Sequence, residues 1–182
     1  MSPRKDSPLT MEYILLGLLN QNPSHGYQLY KDLDRFEGVG LVWHIKQGKL
    51  YALLERLVEE GLLESNLLPV QEYPPRKEFS LTGLGVKVYR EWINTPVAHG
   101  REMRQDFLAR FYFAKLSGNE TLRTLLESQI KNCEGWLLDL RNRVDNLDVT
   151  QAYEKTVFAF RMAQTEAMLT WLQICLKDLG LS

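Results

Sequence analysis

Lys46, Gln47 and Lys49 lie within four residues of one another, interleaved with Gly48, and Arg76 and Lys77 form a second cationic pair directly after Pro74 and Pro75. Ammonium and guanidinium groups neutralise phosphate oxygens, whereas an amide or a well-aimed lysine can donate to the edge of a base. With Leu50 facing a core, a step of about 100 degrees per residue turns Gly48, Lys49, Ala52 and Arg56 outward and leaves Gln47 and Tyr51 at the flank. Gly48 and Ala52 are small enough to let a helix approach the floor of a groove. Glu55, Glu59 and Glu60 follow, so only the first half of this helix is expected to approach a polyanion. The same residue types also suit a solvated helix face and a solvated charge pair, and the surrounding architecture must decide between the readings.

Other chemistry is sparse. The serines stand in no G-x-S-x-G turn, no G-x-x-x-x-G-K-[ST] loop is present, and His25, His44 and His99 fit neither H-E-x-x-H nor another compact metal spacing. Each histidine is expected to serve local structure: His25 against the second helix, His44 just before the third, and His99 in a linker. Cys133 and Cys175 form no C-x-x-C pair and are expected to be free thiols in a reducing compartment. No enzyme activity, metal or cofactor is implied. Met1 to Pro8 lacks the apolar core of a secretion signal. No uncharged apolar run reaches the roughly 20 residues needed to cross a bilayer, so the chain is expected to be cytoplasmic with no membrane partner. The net charge is -1, with 11 basic and 12 acidic groups in residues 1–94 and 11 of each in residues 95–182. Any binding of nucleic acid must therefore arise from a local patch.

The elements that would carry that patch read as three helices and a hairpin. Leu9 to Asn20 is nearly all apolar, and Asn22, Pro23 and Ser24 end it as a turn. Gly26 to Phe36 is a short helix, with Tyr27, Leu29, Tyr30 and Leu33 apolar. A third helix carries Leu50, Leu54 and Leu57, supported by Leu53 and Val58, and stops at Gly61. Leu62 to Leu67 and Lys77 to Leu81 are strand candidates, separated by a proline-bearing loop holding Pro69, Pro74 and Pro75. Thr82 is the expected N-cap of a fourth helix that ends before Pro96. Three helices, a two-stranded wing and a connecting helix place the third helix as the reader of a DNA groove.

The rest of the chain is long-helical. After a shorter helix from Glu102 to Leu116, closed by Gly118, Leu126, Ile130, Cys133, Leu137, Leu140, Val144 and Leu147 recur at spacings of 4 and 3. Extended back to Leu122, this helix is about 40 Å long at 1.5 Å per residue. The last helix, from about Val149 to Leu179, is apolar on two sides. One stripe is Tyr153, Val157, Phe160, Ala167, Trp171 and Ile174, interrupted by Gln164. The other is Phe158, Met162, Leu169, Leu172, Leu176 and Leu179, interrupted by Thr165. Two apolar sides need two partners, and a second copy of the chain is the economical one. A homodimer interface is thus expected among Tyr153, Val157, Phe158, Phe160, Met162, Met168, Trp171, Leu172, Ile174 and Leu176, with either face available. The fold class is mainly α with a small antiparallel β-hairpin: an N-terminal winged helix-turn-helix over residues 1–95 and a C-terminal long-helix bundle over 96–182.

An ordered set of motifs resembles the PadR family of bacterial transcriptional regulators. The set runs from Leu9-Thr10-Met11-Glu12-Tyr13-Ile14-Leu15-Leu16-Gly17-Leu18-Leu19 through His25-Gly26-Tyr27-Gln28-Leu29 to Gly48-Lys49-Leu50-Tyr51. It continues with Leu53-Leu54-Glu55-Arg56-Leu57, Glu60-Gly61-Leu62 and Pro75-Arg76-Lys77-Glu78-Phe79-Ser80-Leu81-Thr82-Gly83-Leu84-Gly85. Met103-Arg104-Gln105-Asp106-Phe107 and the helices after it are similar to the family's longer-tailed members. The resemblance implies a winged-helix domain bound to a double-stranded DNA operator, a helical dimerisation domain, and repression frequently relieved by a small effector. It also implies backbone contacts from Tyr51, Arg76 and Lys77. An aromatic or amphipathic effector would find Trp136, Phe158, Phe160, Met162, Met168 and Trp171 in the last helices, although the same spacing suits an ordinary core. The competing reading is a helical adaptor that uses the winged fold for protein contacts.

Overall fold

The computed structural model describes residues 10–35, 37–70 and 73–180. These form two compact units: the described residues of Met1–Ile93 with Leu108–Phe113, and those of Asn94–Phe107 with Ala114–Ser182.

The first unit is a winged helix. Helix α1 (Thr10–Gln21), strand β1 (Ser24–His25), helix α2 (Gly26–Asp34) and a 3-10 turn (Gly38–Leu41) lead to α3 (Gln47–Glu59). Strands β2 (Leu63–Val70) and β3 (Tyr73–Leu81) and helix α4 (Gly83–Asn94) follow. Helix α1 is apolar on nearly every side because it is packed on nearly every side: Ile14, Leu15 and Leu16 are fully buried, and Tyr13 stacks on Trp92 with centroids 5.0 Å apart. The stripe read along α3 is the stripe that is buried, with Leu50, Leu54 and Leu57 inaccessible to solvent. Gly61 ends α3 at φ +72, where the Gly61 and Leu62 amides return to the Val58 and Leu57 carbonyls, a left-handed termination that glycine alone adopts without strain. Thr82 caps α4 as expected: its Oγ1 accepts from the Gly85 amide at 3.1 Å and donates to the Gly61 carbonyl at 2.7 Å.

The sheet differs from the expected hairpin in two ways. It has three antiparallel strands in the order β1-β3-β2, with Ser24 opposite Phe79 and His25 opposite Glu78. The two residues of β1, Ser24 expected in a turn and His25 expected against the second helix, are too few to show any alternation. Strands β2 and β3 also continue through the prolines expected in a loop. The register slips between Leu68 and Val70, where Pro69 sits, and β1 pairs only with Phe79 and Glu78. Pro74 and Pro75 therefore lie opposite Pro69 at that slip, where the ladder between β2 and β3 is interrupted, a position proline tolerates.

The second unit comprises a 3-10 turn (Gly100–Arg104), the ends of α5 (Asp106–Ser117), and helices α6 (Asn119–Asp145) and α7 (Ala152–Asp178). The expected single helix from Glu102 is thus a 3-10 turn followed by α5. The Glu102 carboxylate takes the His99 amide at 3.0 Å, and Gln105, at φ -128 and ψ -56, breaks the path between the two. Helix α6 begins at Asn119, earlier than the apolar seam alone indicates. Leu122, Leu125, Leu126, Cys133 and Leu137 form its buried side. Within that side Gln129 is fully buried and satisfied: Oε1 accepts the Val97 amide at 2.8 Å and Nε2 donates to the Val97 carbonyl at 3.4 Å. Between α6 and α7 the Asp148 carboxylate accepts both the amide and the hydroxyl of Thr150 at 2.7 Å. Those bonds hold its carboxyl below the ordinary value.

Candidate nucleic-acid interface

The first turn of α3 is cationic or neutral and open to solvent. Lys46 occupies the N-cap in extended conformation, the turn contains no acid, and Lys46, Gln47, Gly48, Lys49, Tyr51 and Ala52 are all exposed. The helix dipole adds partial positive charge at this end. Tyr51 is braced: its ring lies over Gly26, where a Cβ would come within 2.5 Å of the Tyr51 Cε1. Any residue but glycine at the start of α2 would push this ring off its position.

Arg56, expected to face outward toward DNA, is committed elsewhere. Its guanidinium pairs with the carboxylate of Glu12 on α1, which is fully buried, and lies 3.8 Å from Glu60. A buried carboxylate requires a cation, and the long arginine stem reaches back from the flank of α3 to supply one. Arg56 therefore fastens α3 to α1. The signal was present in the sequence, since Glu12 is the one charged residue in the apolar run of α1.

Arg76 and Lys77 are both on β3, and consecutive strand residues point to opposite faces. Arg76 is exposed. Lys77 shares the face of the buried Phe79, its Nζ lying 5.6 Å from that ring centroid, and the ammonium is held by both oxygens of Glu55 on α3 at 2.6 and 2.8 Å. The Lys77 carbonyl accepts from His25 Nδ1 at 3.1 Å. His25 thus ties β1 to the wing, a role its place before α2 did not reveal. The Lys77–Glu55 pair is 38% and 49% exposed, and pairs so accessible contribute only about 0.2 to 1 kcal/mol.

The two stripes of α7 differ in burial. Leu172 is fully buried and Thr165 nearly so, with the Thr165 hydroxyl donating to the Arg161 carbonyl at 2.9 Å. Phe158, Met162, Leu169 and Leu176 on the same side are half-buried. The opposite stripe leaves Tyr153 78%, Phe160 62% and Ile174 49% exposed, with Val157 and Trp171 half-buried between them. Met168, also half-buried, lies outside both stripes. Leu172, expected in a subunit interface, is already used within its own chain. Trp171 packs edge-on against Phe107 at 6.0 Å. No helix among the described residues is long and apolar enough to cross a membrane.

Comparison with known proteins bears on both units. Residues 15–91 match the model of the "Transcriptional regulator PadR-like family", and residues 103–180 that of the "Virulence activator alpha C-term". The negative transcriptional regulator PadR of Bacillus subtilis is 21% identical over 90% of this chain and 93% of its own length. The crystal structure of B. subtilis PadR in complex with operator DNA aligns over 93% of this chain and 99% of its own, with 19% identity and a TM-score of 0.48. A PadR-like transcription factor from Bacteroides fragilis is 30% identical over 44% of this chain and 74% of its own, with a TM-score of 0.40. The family match over the winged helix agrees with the motifs: residues 15–91 form a domain of the PadR-like family of transcriptional regulators.

Proposed function

We propose that the chain is a cytoplasmic, homodimeric repressor that binds a double-stranded DNA operator through residues 1–95 and dimerises through residues 96–182. One observation carries the reading: the first turn of α3 presents Lys46, Gln47, Gly48 and Lys49 to solvent without an acid. In this reading Gln47 and Lys49 read base edges, Lys46 and Tyr51 seat the helix, and Arg76 neutralises a phosphate from the wing, joined by Lys77 on the operator. The exposed α7 stripe of Tyr153, Phe160 and Ile174 supplies the core of the dimer. The sign of regulation follows the B. subtilis relative, named a negative regulator. In this reading an aromatic or amphipathic effector binds among the aromatic residues of the last two helices, and quenching of intrinsic Trp fluorescence by a planar compound set tests that part.

The decisive experiment selects duplexes from a random library and measures affinity for the winner and for a scrambled duplex across a salt series. Arg76→Ala is expected to weaken both by similar factors and to flatten the log-log salt slope by about 1.8 per dimer. Gln47→Ala or Lys49→Ala is expected to lose the selected duplex preferentially, by about 1 to 3 kcal/mol per base contact. Failure of the wild-type chain to enrich any duplex would sink the reading and leave the winged helix as a protein-contact module.

A further inference from the structure

Glu55 is a carboxylate on the face of α3 that carries Gly48 and Ala52, since a step of about 100 degrees per residue brings positions seven and three apart onto one side. Its two oxygens hold the Lys77 ammonium at 2.6 and 2.8 Å. The backbone of Lys77 has no comparable freedom: it is paired with Leu67 in the sheet, and its carbonyl is bound by His25 Nδ1. The side chain alone can change partner. With both groups in contact with water, a phosphate can replace Glu55 at the ammonium, because exposed ion pairs are weak and release of condensed counterions favours the polyanion.

That exchange leaves the Glu55 carboxylate facing DNA without its cation. A carboxylate only accepts hydrogen bonds, so it is relieved where the major groove offers an amino group, as cytosine N4 does, and is penalised where the groove offers acceptors or a phosphate. We infer that Glu55 is a specificity-determining residue of this interface: it withholds Lys77 from the phosphates of unmatched DNA and gives it up only on a duplex that accommodates the freed carboxylate. The inference rests on the DNA-binding reading above. It adds that part of the sequence preference is set by a charge on the protein that most sequences cannot satisfy, a use of repulsion general to selective binders.

The test is Glu55→Gln, a change of similar shape on an exposed position, measured on the library-selected duplex and on a scrambled duplex of the same length and composition. With Lys77 released, affinity for the scrambled duplex is expected to rise by up to about eightfold per protomer at about 0.1 M salt, and its log-log salt slope to steepen by about 0.9 per protomer. The slope on the selected duplex, where Lys77 already meets a phosphate, is expected to stay unchanged. Adding Lys77→Ala to Glu55→Gln is expected to remove the gain on scrambled DNA, which a merely structural role for Glu55 would not produce. An unchanged scrambled-duplex slope, an equal steepening on both duplexes, or a gain that survives Lys77→Ala overturns the inference while the DNA-binding reading stands. Failure of the wild-type chain to bind any duplex overturns both.

Discussion

A guanidinium beside a fully buried carboxylate has little freedom left for a polyanion, and this separates Arg56 from the other cations of the first unit. Glu12 has no access to water, and Arg56 is its partner. Truncating the arginine takes the paired cation from a buried carboxylate, whereas removing both charges together is far milder. Arg56→Ala is therefore expected to lower unfolding stability by about 3 kcal/mol in urea titrations, and Glu12→Gln with Arg56→Met by clearly less. The ratio of affinities for selected and scrambled duplexes is expected to hold for whatever fraction remains folded. A shift in that ratio without loss of stability would return Arg56 to the DNA face.

Element boundaries depend on a few side chains with several duties each. Thr82 caps α4 and at the same time reaches the Gly61 carbonyl at the end of α3. Thr82→Ala is expected to cost about 1 kcal/mol, with Thr82→Ser restoring most of it, as read from chemical denaturation. The turn between α6 and α7 is pH-dependent. The backbone and hydroxyl bonds from Thr150 lower the Asp148 pKa below its ordinary value of 3.8. A group whose folded pKa is lowered contributes stability that is complete above the unfolded pKa and is lost as pH falls through the folded one. Wild type is thus expected to melt above Asp148→Ala at pH 7, with the gap closing as pH drops below about 4. A gap that is constant across this range would mean that the carboxylate's charge has no part in the turn.

At the scale of the whole molecule, the proposal turns on what covers the outer stripe of α7. Tyr153, Phe160 and Ile174 are large, apolar and exposed in the single chain. Burying each against a second copy is worth about 1.5 to 3 kcal/mol before ordering costs. Replacing Phe160 and Ile174 together by Lys is expected to give a folded monomer by sedimentation, with unchanged helicity by circular dichroism. Half of the phosphate contacts then disappear, so the salt slope on the selected duplex should fall by about half. A double variant that remains dimeric would move the interface to another surface.

Periodicity and local chemistry were legible from the residues alone. Leucines every three or four residues placed α3 with its inner face, Thr82 and Gly61 marked helix ends, and the paired stripes of α7 announced a helix with two apolar sides. A compact set of motifs in the first 85 residues indicated the family. What each long or ambiguous side chain meets depends on the packing of distant segments. Arg76 and Lys77 are neighbours in sequence, yet strand alternation sends one to open solvent and the other onto Glu55, 22 residues earlier in the chain. Arg56 sits near the outward arc of a helical wheel but bends back to a carboxylate on α1. Two residues at β1 became a strand only because β3 offered them an edge, and one stripe of α7 is buried only because α6 packs against it. Helical phase and caps are properties of a local segment; the partner of a flexible charged side chain is set by which segments the fold brings beside it.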